Sequence, residues 1–230
     1  MTKILLGLFL LFITLEAQMP DTKQLIIVST QNWETSQGVL QRYERGDGQW
    51  YKVGKAIAIK LGRNGLGWGI GLHQTPRNAK IIKKEGDGKA PAGLFSLKQA
   101  FGYHPFSVEY PYTVYKSTDH CVDDIDSKRY NKIVDSTKAP IDYNSKEQMR
   151  FTKNYYKYGI VVNHNHIDEQ GAVKGAGSCI FIHIKKVPTA GCTVMNETQM
   201  KELIQWLDVK KQPLLLQGTV EVVNGLFTLI

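Results

Sequence analysis

The sequence predicts a mainly β domain with one or a few helices. Three observations carry this. Short runs rich in β-branched and aromatic residues recur along the chain, one stretch near the C-terminus has the period of an amphipathic helix, and 21 Gly and 11 Tyr suit a fold of strands and turns. The 230 residues suffice for one sizeable domain. No repeat, low-complexity tract or Pro/Ser-rich linker divides them, so a single domain over residues 20–230 is expected.

In chain order, residues 24–30 (QLIIVST) read as a first strand. Residues 38–45 and 49–60 read as two more, joined by the turn signal Gly46-Asp47-Gly48. The Gly-rich stretch 62–71 lacks the Lys-Ser/Thr end of a phosphate loop and leads into no helix, so it reads as an irregular loop beside a cleft. Residues 85–97 form a turn-rich entry into a short strand, and 119–153 are polar and Tyr-rich without a clean period. Dense β-branched strands are expected over 158–163 and 179–184. Asn196 is placed to cap a helix, with Gln199 three positions on and an apolar stripe of Met200, Leu203, Ile204 and Leu207. Pro213 ends it, and 214–217 returns to a strand.

Composition excludes whole classes. Hydrophobic residues at 42% and charged residues at 22% are unlike disordered or fibrous chains. A net charge of +8 favours an anionic partner. Lys3, the apolar run Ile4 to Leu15 and the small Ala17 have the form of a secretory leader over residues 1–17. That run is shorter than the about 20 residues a membrane-spanning helix needs. The expectation is an exported protein of the periplasm or cell envelope, without stable membrane insertion after the leader is cut, and not one that binds nucleic acid.

An odd number of cysteines outside the cytoplasm leaves at least one thiol unpaired or pairing between chains. Cys121, Cys179 and Cys192 form no CxxC unit or zinc-knuckle spacing. If residues 183–192 fold as a hairpin centred between Val187 and Pro188, His183 and Cys192 stand directly opposite, close enough for an imidazole to take a thiol proton. Gly191 lets the backbone approach a substrate carbonyl, with its N–H and that of Cys192 as oxyanion donors. Cys179 lies about 13 Å from His183 along an extended strand, beyond hydrogen-bond reach. Cys121 sits beside Asp123 and Asp124, whose charge would raise a thiol pKa. A Cys121–Cys179 disulfide would leave Cys192 free, although spacing alone does not fix connectivity. One Cys and one His at this spacing also suit simple packing.

The stretch 158–193, with Gly-Ser-Cys-Ile-Phe-Ile-His and Thr-Ala-Gly-Cys-Thr, resembles the catalytic core of the L,D-transpeptidase family of peptidoglycan enzymes. Residues 85–95 (EGDGKAPAGLF) resemble that family's strand-entry segment, and 121–135 (CVDDIDSKRYNKIVD) its branch with short His–Cys spacing. The resemblance implies a β-sandwich with Cys192 as nucleophile, His183 as general base and Gly191 before the nucleophile, acting on peptidoglycan stem peptides with no cofactor or metal. Candidate substrate contacts are His164 and Asn165, which match a place near the family's cleft, with Ser178, Thr189 and Asp124. Ala190 and Val194 depart from the commoner pattern, in which a second His precedes the Gly-Cys pair and an Arg or Asn follows. The groups that grip substrate carboxylates are therefore open.

The implied reaction is acyl transfer from a tetrapeptide stem with release of D-alanine. The same dyad would serve an L,D-carboxypeptidase, and an inactive wall-binding module would keep the fold alone. His164, His166 and Asp168, at period two, would share one face of a strand as a possible metal site, but no zinc frame accompanies them. An ordinary polar strand end is an equal reading.

Overall fold

The computed structural model describes residues 21–230 apart from 139 and 229. The predicted leader, residues 1–17, lies outside the described residues. In chain order the strands are β1 (Gln24–Thr30), β2 (Gln37–Gly46), β3 (Gln49–Lys60), β4 (Leu66–Trp68), β5 (Ala90–Gly102), β6 (Tyr112–Val114), β7 (Asp119–Val122), β8 (Ile133–Asp135), β9 (Lys146–Gln148), β10 (Tyr158–Val162), β11 (Phe181–Ile184), β12 (Thr193–Met195) and β13 (Leu214–Thr219). Helix α1 (Glu197–Trp206) follows β12, and α2 (Val220–Phe227) follows β13.

The main sheet runs β10-β11-β12-β3-β2-β1-β13-β5-β4, and β10 also pairs with β5. That last pairing closes the sheet into a barrel-like ring, which leaves few strand edges for another chain to add to. The predicted mainly β class is what the chain adopts. A separate three-stranded sheet, in order β8-β7-β9, comes from the segment whose sequence showed no period.

Apolar residues sort to two sides of the main sheet. Ile160, Ile182, Leu40, Ile57 and Phe95 join one core, which α1 covers with Met200, Leu203 and Ile204. Phe101, Val161, Phe181, Tyr156 and Met149 form a second cluster on the opposite face of β5, β10 and β11. Because strand residues alternate faces, Phe181 and His183 both belong to that second side. Helix α1 begins as expected, its Asn196 side chain accepting the Gln199 N–H at 2.9 Å. Helix α2 was not foreseen: β-branched Val220, Val222 and Val223 favour strands, but Thr219 caps their first turn and the helix packs on β1, β13 and β5. Strand β5 is also longer than the short strand expected there.

The hairpin reading of residues 183–192 fails. Strands β11 and β12 are parallel, with Ile182 opposite Thr193 and His183 opposite Val194. The connection crosses over and is clipped elsewhere: Thr189 N–H donates to the Leu61 carbonyl at 2.9 Å, and Arg63 N–H donates to the Thr189 carbonyl at 2.8 Å. Alternating hydrophobicity is the same for parallel and antiparallel partners, so the sequence pattern could not separate them. Among the described residues no helix is long and apolar enough to cross a membrane.

Candidate active site

Extending the parallel register back one step from Ile182–Thr193 sets Cys192 beside Phe181. The Phe181 N–H points at Cys192 Sγ, 3.3 Å away. His183 is then two residues further along the neighbouring strand, about 6.6 Å on, and projects to the same face. Both side chains line one cavity of about 430 Å³ with Glu147, Tyr155, Tyr156 and Lys185. The two residues singled out in the sequence thus share one cavity wall, through a parallel pairing where a hairpin was expected.

The imidazole of the pair is fixed in tautomer. His183 Nδ1 lies 3.2 Å from the Tyr155 carbonyl and 3.2 Å from the Ile184 carbonyl. A carbonyl only accepts, so Nδ1 carries the proton and the Nε2 lone pair is left available. Tyr156 stacks edge-on against the imidazole, with ring centroids 4.8 Å apart. Burial holds His183 down to about pKa 4. Burial likewise pushes the Cys192 thiol up to about 12. The resting pair is a neutral thiol and a neutral imidazole, and thiolate forms only as substrate draws it. Iodoacetamide should therefore alkylate Cys192 at neutral pH at least about tenfold more slowly than free cysteine, which peptide mapping over time would read. A rate at or above that of free cysteine would show a preformed thiolate.

The thiol is held from its other side by Cys179, whose carbonyl lies 3.6 Å from Cys192 Sγ. Cys179 has a left-handed backbone, φ 54°, and is disulfide-bonded to Cys121, so Cys192 is the free cysteine. Asn131 adds a second restraint: its Oδ1 accepts the Cys179 N–H at 3.0 Å. Its Nδ2 donates to the Asn165 carbonyl at 2.8 Å and to the His164 carbonyl at 3.1 Å. The expectation of a continuous strand from Cys179 is corrected, since β11 begins at Phe181.

Several predicted contacts occupy other places. Thr189 Oγ1 donates to the Cys192 carbonyl at 2.6 Å and accepts the Gly191 N–H at 3.1 Å. The Gly191 N–H is therefore spent within the turn, contrary to the expected oxyanion role. Gly191 instead permits close packing, because a Cβ there would meet the Lys89 carbonyl oxygen at 3.1 Å. Ser178 Oγ donates to Glu85 Oε2 at 2.6 Å, on the rim of a second cavity that also reaches Cys192.

His164 and Asn165 are buried structural residues, off both walls. His164 Nδ1 accepts the Ile70 N–H at 3.3 Å, and its Nε2 donates to the Ala176 carbonyl at 3.1 Å. The Asn165 side chain closes the loop through the Val173 N–H and the Val173 and Gly177 carbonyls. Left-handed φ values at Asn165, His166 and Asp168 show a turn where period-two spacing suggested a strand. Among the described residues no three His, Cys, Asp or Glu side chains gather closely enough for a metal ion. Asp124 closes a turn by accepting the Asp126 and Asn144 N–H groups.

Glu147, Tyr155 and Tyr156, prominent on the cleft wall, were missed by sequence reasoning. The aromatic run 151–158 (FTKNYYKY) was the available signal, but nothing in it pointed at His183.

The buried histidines make the fold acid-sensitive. His164 is held down to about 3 and His183 to about 4 from an ordinary 6.5, both first by burial. Below 6.5 the unfolded chain binds protons that the folded chain refuses, so stability is full above that pH and falls as pH drops toward the folded values. Denaturant titrations should show a loss of about 3 kcal/mol between about pH 7.5 and about pH 5.5 from these two residues. A flat profile would mean the imidazoles are not buried as described.

Residues 81–222 match the family described as YkuD, the L,D-transpeptidase catalytic domain. No curated protein matches the sequence. The chain is similar to a solved structure, the helical cell shape determining protein Pgp2 from Campylobacter jejuni, at 15% identity and a TM-score of 0.40, over 86% of this chain and 48% of that one. It thus spans about half the length of that protein. With the family matched over most of its length, this chain belongs to the L,D-transpeptidase catalytic-domain family.

Proposed function

We propose that the protein is an exported peptidoglycan L,D-transpeptidase whose nucleophile is Cys192 and whose general base is His183. The observation that carries the reading is one cavity wall holding a free thiol and an imidazole whose tautomer leaves Nε2 as acceptor. Sγ attacks the carbonyl of the bond after the third stem residue while His183 Nε2 takes the thiol proton. The tetrahedral intermediate collapses, the C–N bond breaks, and Nε2 returns the proton to the departing amine of D-alanine. A neutral amine of a second stem then attacks the thioester, loses a proton to Nε2, and expels Sγ, which recovers it.

The larger cavity is suited to a leaving residue with a free carboxylate. Lys153 and Lys185 both line it and stand over the Tyr155 ring, at 5.7 Å and 5.4 Å. A disulfide also fits the oxidising compartment that a peptidoglycan enzyme works in. The test is mass spectrometry of tetrapeptide muropeptides incubated with the mature protein. Loss of D-alanine with new stem-to-stem dimers supports transpeptidation, and tripeptide without dimers makes it an L,D-carboxypeptidase. Unchanged substrate overturns both and leaves a wall-binding module.

A further inference from the structure

A second cavity, about 150 Å³, adjoins Cys192 on the side away from His183 and is lined by Glu85, Asp123, Glu147 and Lys83. Its charge is opposite to that of a protein with net +8. Lys83 is already neutralised, its Nζ 2.6 Å from Asp87 Oδ1. Glu85 is satisfied by the Tyr130 and Ser178 hydroxyls, each at 2.6 Å. Asp123 and Glu147 differ: neither forms an ion pair among the described residues. Asp123 Oδ1 is fully buried with no hydrogen-bond partner, and the bond to Glu147 is a long one, from the Tyr156 hydroxyl at 3.5 Å.

The small sheet aims these two groups. Cys121 of β7 stands opposite Glu147 of β9, and period-two alternation puts Asp123 on the same side as Cys121 and Asp124 on the other. The Cys121–Cys179 bond pins that side against the thiol. Buried carboxylates without a cation are costly, and they persist where a ligand supplies the cation. The acidic side chains are too spread to hold a metal, whereas an ammonium accepts spaced single contacts.

We propose that this cavity reads the side-chain ammonium of the acyl-donating third residue of the stem, with Asp123 and Glu147 as its specificity-determining partners. The inference rests on the proposed function for the identity of the donor. Charge is then graded about Cys192, with Glu147 lining both cavities: lysines on the His183 side take the carboxylate of the leaving residue, and Asp123 and Glu147 take the ammonium of the residue that stays on sulfur. Burial and the neighbouring Asp123 carboxylate push the Glu147 carboxyl up, as expected of a carboxylate awaiting a cation.

Two tetrapeptide stems, identical except that one carries an acetylated third-residue amine, test this by calorimetry on Cys192→Ser, with acylation of the wild-type thiol measured separately. Acetylation should weaken binding at least about thirtyfold. Adding Glu147→Gln should shrink that ratio to within about threefold. Equal affinities in Cys192→Ser, no binding of either stem, or an equal loss for both stems on Glu147→Gln each overturn the inference. A stem that binds with the preference but never acylates Cys192 overturns the proposed function and leaves this inference standing. Acylation that ignores acetylation does the reverse.

Discussion

Replacing Cys192 by alanine should lower the rate of D-alanine release by at least about 10⁴-fold, to the level of the His183→Ala variant or below. The size follows from the mechanism. Without Sγ no thioester forms, and water would have to attack directly, with the cleft contributing only binding. Combining the two substitutions should add little, because nucleophile and base act as one unit. Cys192→Ser is the sharper comparison, since it keeps an oxygen nucleophile of similar shape. An alcohol is far harder to deprotonate than a thiol, so the same imidazole should leave the serine variant close to the alanine one. Release assays on these four variants under saturating stem would check this. Activity within about tenfold of wild type in Cys192→Ala would mean another nucleophile.

The second large effect concerns the disulfide. Cys121 and Cys179 are 58 residues apart, and closing a loop of that length is worth about 4 kcal/mol in the chain-entropy account. Cys121→Ser together with Cys179→Ser should cost about that much in denaturant unfolding. It should also reduce activity where the fold survives. The bond holds the small sheet against Cys179, and Cys179 keeps its left-handed φ while presenting its carbonyl to the thiol. Reducing the wild-type protein should have the same effect on both readouts. Equal unfolding midpoints for oxidised and reduced protein would show that the link constrains nothing.

Much of the fold was legible in local pattern. The runs 24–30 and 49–60 become β1 and β3 with the expected bounds, and Asn196 caps α1 as its spacing suggested. These segments carry their signal in their own alternation or period. Cys192 and His183 stood out because an expected export makes an odd cysteine conspicuous, and the resemblance to the family motifs adds the pairing. What stayed hidden depends on contacts between distant segments. Parallel pairing of β11 with β12 leaves no trace in either strand. The left-handed turn at Asn165–Asp168 hides behind a period of two. Glu147 comes from a polar segment whose short strands are organised by the disulfide and by Asn131, not by alternation, and Tyr155 and Tyr156 from a single turn of 3-10 helix before β10. Asp123 and Asp124 are adjacent in sequence, and only the register of β7 on β9 decides which one faces the thiol.

The most direct measurement is intact mass spectrometry of the mature protein quenched in acid shortly after mixing with tetrapeptide stem, followed by peptide mapping. The account predicts an adduct equal to the stem less D-alanine, carried by the peptide containing Cys192 and absent from Cys192→Ala. An adduct on another residue, or D-alanine release with no covalent intermediate in a protein that still turns over, would contradict it.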